Sequence, residues 1–364
     1  MKLSLKVSLG YVRHGMSAKR TDMYTSDGWV DASRWFTDPA TFIICTGGRG
    51  IGKTFGALHE IIERGLKFIY LRRTQTQIDT IKLAELNPFK AVNDAFGYDI
   101  VSGSLGKYMG GFYHADGDGK PAGEVLGIAV ALSTVSNVRG MSAEDYEVLL
   151  FDEFIPEKHE RPIRAEGEAF LNCLETINRN RELQGRPPIK VILLSNSNDL
   201  DSPILSAIGA LRPLDEMIRK GRSFRSLYDG AMSIYRYLDS PVSLLKRNTA
   251  LYRVSHSEDF NSMALDNAFS AANYENVRSM SIDQFRPLVS IGNVTVYEHK
   301  SDFVFYVVMG VKSEHVYTLL PNSKKSFIQK YGYIIDALYQ DAVFYMSAPA
   351  KIEFERILKV NRYG

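Results

Sequence analysis

Four apolar segments of similar length lie within the first 200 residues of the chain. They are TFIIC at 41–45, KFIYL at 67–71, EVLLF at 147–151 and KVILL at 190–194. Apolar runs of this length predict strands that are buried on both faces. After the first run, KTFGALHEIIERG places apolar side chains at helical spacing and ends in Gly65, a typical helix-terminating residue. Alternating strands and helices predict a parallel sheet with helices on both faces.

The pattern changes after residue 200. Residues 202–238 are mixed and end in RSLYDGAMSIYRYL, which predicts a further strand of the same sheet. Residues 240–275 are polar and rich in helix-forming residues, whereas residues 286–320 alternate between apolar and polar side chains. Such alternation predicts an antiparallel hairpin, with its turn near Lys300–Asp302. Closing helices are predicted around residues 325–339 and 349–360.

These patterns divide the chain into a large α/β domain, a small helical linker and an α+β domain. A chain of 364 residues with 45% hydrophobic content can form two domains and fill at least one large core. The three predicted parts are residues 1–240, 241–275 and 276–364.

Charge is nearly balanced along the chain, with 44 Lys and Arg residues against 42 Asp and Glu residues. A surface that binds nucleic acid must therefore be a local patch.

Cys45 and Cys173 fall in a predicted buried strand and a predicted helix, which favours free thiols and a reducing compartment. The apolar runs are too short for a signal peptide or a membrane span, so we expect a soluble intracellular protein.

A glycine-rich motif joins the first predicted strand to the first predicted helix. It satisfies the G-x-x-x-x-G-K-[ST] pattern of phosphate-binding loops, the Walker A motif. Glycines let the backbone N–H groups surround phosphate oxygens, and the following helix adds its positive end. The lysine contacts the β- and γ-phosphates and the threonine binds Mg²⁺, so we predict a site for ATP and Mg²⁺. The motif consists of Gly47, Gly48, Arg49, Gly50, Ile51, Gly52, Lys53 and Thr54.

A pair of acids ends the third predicted strand, as in Walker B motifs. Because this strand is buried, Asp152 should emerge at the ligand edge of the sheet, where it can hold the Mg²⁺ water shell. Glu153 can then polarise the attacking water. A second acid of this kind indicates a hydrolase of the motor branch, in which an extra strand separates the two motifs. The interval of about a hundred residues from Thr54 to Asp152 leaves room for such a strand.

Further polar residues follow or flank the predicted strands. Ser195 and Asn196 come directly after KVILL, where they can sense the γ-phosphate. A phosphoryl transition state also gains from an arginine, and Arg139, Arg179 and Arg181 are the candidates. The alternative is that these arginines face solvent.

Basic residues elsewhere are candidates for contact with DNA. Arg72 and Arg73 close the second predicted strand, where a phosphate contact, a DNA contact and a salt bridge are all open interpretations. After the paired acids, IPEKHERPIR presents Lys158, Arg161 and Arg164, which could grip DNA phosphates without reading sequence. A solvated charge run is the alternative for this loop.

The ordered motifs GGRGIGKT, FIYLRR, VLLFDEF, INRNRE and ILLSN resemble the DNA-packaging ATPases of phi29-like tailed phages, relatives of the terminase large subunits. The resemblance covers about residues 40–200, with a weaker echo at residues 263–267. It implies a P-loop NTPase of the ASCE, FtsK–HerA-like type, followed by a helical linker and an α+β domain resembling an RNase-H-like nuclease without its catalytic acids. It also implies a ring of identical subunits, usually a pentamer, at the portal vertex.

The resemblance assigns roles to individual residues. Residues 47–54 become the nucleotide loop, Asp152 the Mg²⁺ aspartate and Glu153 the catalytic glutamate. Arg179 matches an arginine inserted into a neighbour's site, and Arg139 stands where a basic residue acts in trans. Lys158 matches a lysine that faces the DNA channel. Two departures concern the DNA contacts: Pro156 replaces a basic residue, and Thr74-Gln75 follows YLRR without a nearby lysine.

The predicted function is an ATP-driven translocase that packages double-stranded viral DNA into a procapsid. Its expected partners are DNA, copies of itself and the portal protein, with a structural RNA as a further candidate and no membrane. Its expected location is the host cytoplasm, at the procapsid portal vertex. The alternatives are another ring-forming nucleic-acid motor, such as a helicase or conjugation-type motor, and a nucleotide-dependent assembly switch.

The acids of the C-terminal region bear on nuclease activity. A two-metal nuclease needs clustered carboxylates. Of the acids present, Glu298 alone has a strand-like phase on the predicted hairpin, so we expect a nuclease-like fold without cleavage activity. The expected task of residues 276–364 is to bind DNA, the portal or a partner nucleic acid. The acids considered are Glu298, Asp302, Glu314, Asp336 and Asp341.

Overall fold

The fold comes from a computed structural model of the chain. Within the residues that it describes, the strands form a nine-stranded sheet and a five-stranded sheet. None of the helices in this described part is long and apolar enough to cross a membrane. The described residues are 23–138, 143–156, 160–196, 199–257, 261–262, 264–265 and 269–358.

The larger sheet contains the four strands that the apolar runs predict. Its order is β3-β4-β5-β2-β6-β7-β1-β9-β8. Neighbours from β5 to β9 run parallel, which confirms the predicted parallel sheet. The outer strands β3, β4 and β8 are antiparallel. The strands are β1 Phe42–Gly47, β2 Phe68–Arg72, β3 Ile100–Ser104, β4 Gly110–Ala115, β5 Pro121–Ala131, β6 Val148–Asp152, β7 Lys190–Ser195, β8 Phe224–Leu227 and β9 Met232–Tyr237.

The strand between the glycine-rich loop and the paired acids comes from a different part of the chain than predicted. A strand does separate the glycine-rich loop from the paired acids, because β7 lies between β1 and β6. The interval between Thr54 and Asp152, however, does not supply it. That interval forms β2 to β5 at the far side of the sheet, and β7 comes from residues downstream of Asp152. The segment ending in RSLYDGAMSIYRYL forms two strands, β8 and β9, rather than one.

Helices cover both faces of the larger sheet, as predicted. Trp35, Leu58 and Phe89 belong to the core on one face, and Phe170 and Leu214 belong to the core on the other face. The described helices are α1 Ser33–Thr37, α2 Lys53–Glu63, α3 Gln75–Ile81, α4 Lys90–Phe96, α5 Glu166–Asn178, α6 Pro203–Ala207, α7 Leu211–Arg219, α8 Pro241–Lys246, α9 Ala250–Val254, α10 Pro321–Tyr331, α11 Tyr333–Tyr339 and α12 Ala348–Leu358.

The smaller sheet has the order β13-β10-β11-β12-β14. Its centre is an antiparallel meander, and the turn between β11 and β12 includes the predicted Lys300–Asp302 turn. The short outer strands pair in parallel. One predicted helix over residues 325–339 is two helices, interrupted at Gly332. The strands are β10 Phe285–Ile291, β11 Val294–His299, β12 Phe305–Met309, β13 Val316–Tyr317 and β14 Val343–Tyr345.

Helix α12 joins the two sheets. Phe354 and Leu358 lie in the core of the smaller sheet, whereas Ala348 and Ile352 lie in a core of the larger sheet. Outside these cores, Arg356 Nε donates to Asp201 Oδ1 at 2.5 Å. The helix therefore packs against both sheets through different faces.

Candidate nucleotide-hydrolysis site

The register of the central strands brings the predicted site residues to one edge of the sheet. Thr46, next to the end of β1, pairs with Ser195 at the end of β7. Asp152 at the end of β6 pairs with Leu194. Arg72 closes the neighbouring strand β2. Because these strands are parallel, the groups that follow their carboxyl ends meet in one crevice, where open α/β sheets bind ligands.

The glycine-rich loop connects β1 to α2 in the conformation that the motif predicts. Gly50 and Gly52 have positive φ values of 66° and 96°, which side chains with a Cβ rarely adopt. Lys53 begins α2, and its buried Nζ donates to the carbonyl oxygens of Gly47 and Gly48 at 2.9 and 2.7 Å. The lysine therefore bends back into the loop that should hold the phosphates.

Burial lowers the pKa of Lys53 to about 7, against the opposing influence of Asp152. The hydrogen-bond partners of Nζ are neutral carbonyl oxygens. An anionic phosphate in the loop would favour the charged amine much more strongly than these carbonyls do. The loop and its lysine thus fit a nucleoside triphosphate.

The two predicted Mg²⁺ residues are in contact. Thr54 Oγ1 donates to Asp152 Oδ1 at 3.0 Å. The other carboxylate oxygen, Oδ2, accepts from Tyr70 at 2.7 Å and from Arg72 at 3.0 Å. A hydroxyl and a carboxylate are hard oxygen ligands of the kind that Mg²⁺ prefers, beside substrate phosphates and water. These residues fit the metal of a magnesium–nucleotide complex.

The second acid has partners of its own. Glu153 Oε1 accepts from Asn196 Nδ2 at 3.2 Å, and Oε2 forms an ion pair with Arg72 Nη2. Its backbone has a positive φ of 55°. A non-glycine residue in this region costs about 1–3 kcal/mol, and such strain is concentrated at functional sites. The turn after β6 thus directs Glu153 toward Asn196, while Asp152 faces Thr54.

The predicted sensor residues lie at the same edge. Ser195 is buried at the end of β7, between β1 and β6. Asn196 reaches the second acid rather than solvent. The two residues therefore lie beside both the loop and the acids.

Arg72 and Arg73 form salt bridges. Arg72 contacts both Asp152 and Glu153. Arg73 is fully buried, and its guanidinium binds Glu166 at 2.6 Å and Glu160 at 2.7 Å. Of the three interpretations left open by the sequence, the salt bridge is the one observed for both residues.

The candidate arginines have different environments. Arg181 is buried and donates to the backbone oxygens of Ala143 and Tyr146 at 3.3 and 2.5 Å. It therefore braces the segment that precedes β6, and its role as a candidate transition-state arginine stays a prediction. Arg179 is exposed at the end of α5, with a positive φ of 45° and a contact to the oxygen of Thr176. Arg139 lies outside the described residues.

The residues proposed to contact DNA are partly described. Arg161 and Arg164 are exposed in the segment before α5. Lys158 lies outside the described residues. Exposure is compatible both with a DNA contact and with a solvated charge run, so both interpretations stay open.

The C-terminal acids are dispersed. Glu298 pairs with Arg286 at 2.6 Å, and Asp302 pairs with His299 at 2.9 Å. Within the described part of the chain, no group of three or more His, Cys, Asp or Glu residues is placed to hold a metal ion. Glu314, Asp336 and Asp341 are exposed.

The sequence reasoning missed several contacts of the site. Tyr70 lies within the apolar run KFIYL. Its phenol hydroxyl was the one feature of the sequence from which a polar partner could have been predicted. In the predicted linker, Ala264 O accepts from the N–H of Arg49 at 3.1 Å, and Lys246 Nζ donates to the oxygen of Arg49. The weak echo at residues 263–267 includes Ala264, but it does not indicate a contact with the glycine-rich loop, because the contact joins residues about 200 positions apart.

The fold and the site together define the class of protein. A parallel sheet has its phosphate-binding loop and paired acids on strands separated by one further strand, with a polar residue at the end of that strand. This is the arrangement of a P-loop ATPase of the motor branch. Residues 36–327 match the family described as Podovirus DNA encapsidation protein (Gp16), and the chain belongs to this family.

Curated relatives and solved structures agree with the family. The chain is 27% identical over 247 residues to the DNA packaging protein of Bacillus phage PZA, covering 65% of this chain and 64% of the relative. It is 28% identical over 233 residues to that of Bacillus phage phi29, covering 61% of this chain and 60% of the relative. The matches thus span less than two thirds of the length of these relatives.

The structural similarity extends over nearly the whole chain. The Phi-28 gp11 DNA packaging motor superposes with a TM-score of 0.63 at 19% identity, covering 93% of this chain and 100% of that chain. The bacteriophage Phi-29 viral genome packaging motor assembly gives 0.61 at 18% identity, covering 91% and 98%. At these identities the similarity establishes the fold. The resemblance noted from the sequence motifs is confirmed.

Proposed function

We propose that the protein is an ATP-driven motor that moves double-stranded DNA into a viral procapsid. The observation that carries the proposal is the position of Glu153, a second acid next to the Thr54–Asp152 contact and 3.2 Å from Asn196. An acid in this position can polarise an attacking water as a general base. Membership of the encapsidation family and the names of the curated relatives support DNA packaging as the work that hydrolysis drives.

Each residue of the site has a role in the proposed hydrolysis. The backbone of Gly47–Thr54 and the amine of Lys53 hold the phosphates, and Thr54 and Asp152 hold Mg²⁺. When bound, magnesium–ATP supplies the electrophilic γ-phosphorus and the metal charge. Glu153 orients the attacking water and accepts its proton.

Two contacts must change before Glu153 can act in this way. Lys53 Nζ has to leave the carbonyl oxygens of Gly47 and Gly48 to reach phosphate. Arg72 has to release Glu153, because a carboxylate paired with a guanidinium is a weaker proton acceptor. In the described conformation Arg72 pairs with both acids.

A transition-state arginine supplied by a neighbouring subunit completes the proposal. Arg179 is exposed at the end of α5, where it can enter another copy's site, and Arg139 is the second candidate. Mixing Arg179→Ala subunits with Glu153→Gln subunits should restore part of the ATPase activity, because some interfaces then combine an intact acid with an intact arginine. Absence of activity at every mixing ratio would exclude Arg179 as the residue in trans.

We propose that the subunits form a homopentameric ring on the portal protein at the procapsid vertex, in the host cytoplasm. The names of two structural matches, a DNA packaging motor and a viral genome packaging motor assembly, support an assembled motor that acts on DNA. A structural RNA is a further candidate partner. The mass of the complex on portal-bearing procapsids, with and without RNase treatment, tests the subunit number and the RNA together.

Replacement of Glu153 by Gln tests the motor against a nucleotide-dependent switch. A motor carrying Glu153→Gln should bind ATP and duplex DNA but fail to hydrolyse ATP or package DNA. A switch should keep its output with the same substitution. Glu168→Gln, at an exposed acid in the first turn of α5, is the matched control and should retain activity.

Duplex DNA should bind through phosphate contacts and stimulate hydrolysis. The logarithm of the affinity should then fall linearly with the logarithm of the salt concentration, by about 0.9 per contacted phosphate. Arg161→Ala with Arg164→Ala should reduce this slope if the loop before α5 grips DNA. ATP hydrolysis that neither binds nor responds to duplex DNA would overturn the packaging proposal.

We further propose that the C-terminal domain does not cleave DNA. Glu298 pairs with Arg286 and Asp302 pairs with His299, and no group of three or more potential metal ligands occurs in the described part of the chain. Incubation of the protein with plasmid DNA and Mg²⁺ or Mn²⁺ should leave the DNA intact. Metal-dependent cleavage that persists in the Glu153→Gln protein would contradict this assignment.

A further inference from the structure

The chain contains two tryptophans, and their environments are opposite. Trp35 is completely buried, and its indole N–H donates to Tyr237 Oη at 2.7 Å. Trp29 is 46% exposed, although it belongs to an ordered turn. An exposed indole on a fixed backbone presents a large apolar face to solvent, and tryptophan is enriched at interfaces.

The turn that carries Trp29 is fixed to the glycine-rich loop. Thr25 N–H donates to the oxygen of Trp29 at 2.8 Å and closes the turn. The N–H of Val30 donates to the oxygen of Ile51 at 3.0 Å. The indole lies against Gly52, since its Cε3 atom is 3.3 Å from the position that a Cβ would occupy there. Trp29 thus contacts the residue immediately before Lys53.

The other side of the turn packs on the chain that follows β9. A Cβ on Gly28 would lie 2.7 Å from Cβ of Pro241, the first residue of α8. Tyr24 Oη donates to the oxygen of Leu238 at 2.9 Å. The turn is therefore held between the glycine-rich loop and the start of α8, which keeps the backbone of Trp29 beside Gly52.

A nucleotide whose phosphates lie in residues 47–54 keeps its base close to this loop, because ribose is its only spacer. The phosphate motif itself contains no aromatic side chain on which the base could stack. Trp29 offers an aromatic face beside Gly52, and stacking of a base on an aromatic side chain is worth about 1–3 kcal/mol. Trp29 lies outside residues 36–327, so it is not part of the segment that the family model matches.

We propose that Trp29 is the base-stacking residue of the nucleotide site. It recognises the planar base of a purine nucleoside triphosphate, while the glycine-rich loop recognises the phosphates. The inference rests on the proposed nucleotide site and adds a contact that the phosphate motif does not provide. Because stacking depends on ring area, purine nucleotides should bind more tightly than pyrimidine nucleotides.

Tryptophan fluorescence tests the proposal directly in the full-length protein. ATP with Mg²⁺ should quench or shift the tryptophan emission. The change should come from Trp29, because Trp35 is completely buried. Inorganic tripolyphosphate should bind the loop without the same spectral change. The Trp29→Phe protein, which keeps only Trp35, should lose the ATP-dependent signal.

Affinity measurements separate stacking from damage to the loop. Trp29→Ala should weaken ATP binding about 5- to 150-fold and leave tripolyphosphate binding unchanged. Trp29→Phe should weaken ATP binding less, because it keeps an aromatic face. Phe224→Ala, at a similarly exposed aromatic residue of β8, is the matched control and should bind ATP normally. Emission from buried Trp35 reports whether each Trp29 variant is folded.

Three results would overturn the inference. They are unchanged ATP affinity in the Trp29→Ala protein, equal weakening of ATP and tripolyphosphate binding, and a loss of self-association with nucleotide affinity intact. The last result would assign Trp29 to a subunit contact. Absence of ATP binding by the unmodified protein would instead contradict the proposed function itself.

Discussion

The phenol hydroxyl of Tyr70 donates a 2.7 Å hydrogen bond to Oδ2 of Asp152. Burial raises the pKa of Tyr70, and the neighbouring Asp152 raises it further, so the phenol stays protonated and remains a donor. Thr54 holds the opposite oxygen of the same carboxylate. The orientation of Asp152 is therefore fixed from both sides, and Tyr70 is a positioning residue that acts through the aspartate.

Tyr70→Phe should loosen the Mg²⁺ site while keeping the buried ring. We expect the Mg²⁺ concentration for half-maximal ATPase activity to rise about 10-fold, as for other groups that orient metal ligands. ATP binding without metal should stay unchanged. Tyr306→Phe, which removes a hydrogen bond of 3.0 Å to Arg278 O in the smaller sheet, is the control. An unchanged Mg²⁺ dependence of Tyr70→Phe would contradict the role of Tyr70.

Arg73→Met should destabilise the fold, because it leaves Glu166 buried without its guanidinium partner. Glu166 is 2% exposed and binds Arg73 through both carboxylate oxygens. Breaking a buried pair on one side costs about 3–5 kcal/mol, which equilibrium urea unfolding would measure.

Two further variants make this test specific. Adding Glu166→Gln to Arg73→Met should recover part of the lost stability, because the uncompensated charge is removed. Arg64→Met, which breaks the surface pair with Glu60, should cost less than about 1 kcal/mol. Equal losses for Arg73→Met and Arg64→Met would show that the buried pair is not a structural element.

ATP binding should be accompanied by proton uptake above neutral pH. The pKa of Lys53 is about 7 in the described conformation, chiefly through burial, and phosphate raises it again. Between pH 7 and the ordinary lysine value of 10.5, the free protein holds Lys53 mostly neutral and the complex holds it charged. Affinity should therefore fall as pH rises through this window, and Lys53 should contribute little pH dependence below it.

Calorimetric titration at pH 8, in buffers of different ionisation enthalpy, measures this uptake. The expected value approaches one proton per ATP. Lys53→Arg provides the control, since a guanidinium stays charged in both states and should take up no proton there. If the unmodified protein binds ATP without proton uptake, Lys53 is already charged in the free state.

Gly48→Ala should separate the linker from the glycine-rich loop. A Cβ on Gly48 would lie 2.6 Å from the oxygen of Ala264, the same atom that accepts from the N–H of Arg49. We expect a loss of about 1–3 kcal/mol, typical of overpacking, with a lower melting temperature. Gly117→Ala, where an added Cβ meets no atom within 4 Å, should change the melting temperature little.

Nucleotide affinity gives this variant a second measurement. Gly50 and Gly52 are the glycines of the loop with positive φ values, so Gly48→Ala leaves the phosphate-binding backbone unstrained. ATP should still bind, while coupling of hydrolysis to DNA should weaken, because the linker contact is lost. Loss of ATP binding at full stability would place Gly48 in the phosphate site instead.

The sequence by itself determined where the candidate nucleotide site lies and much of the main sheet. Buried strands appear as continuous apolar runs, and the residues that follow them in parallel strands must meet at one edge. This local logic located residues 47–54, Asp152, Glu153 and Asn196 at one edge of the sheet. The boundaries of the three predicted parts and the roles of the individual site residues stay predictions, and Arg139 and Lys158 lie outside the described residues.

Only the tertiary structure decided which partners these residues have. Arg72, Arg73 and Arg181 look alike in the sequence, yet their partners differ. Arg72 contacts the two acids of the site, and Arg73 contacts a buried glutamate. Arg181 contacts backbone oxygens. The strand between the loop and the acids came from residues downstream of Asp152. The packing of Trp29 on Gly52 likewise has no local sequence pattern. Secondary structure follows from periodicity within a segment, whereas burial and charge pairing depend on residues brought together from distant parts of the chain.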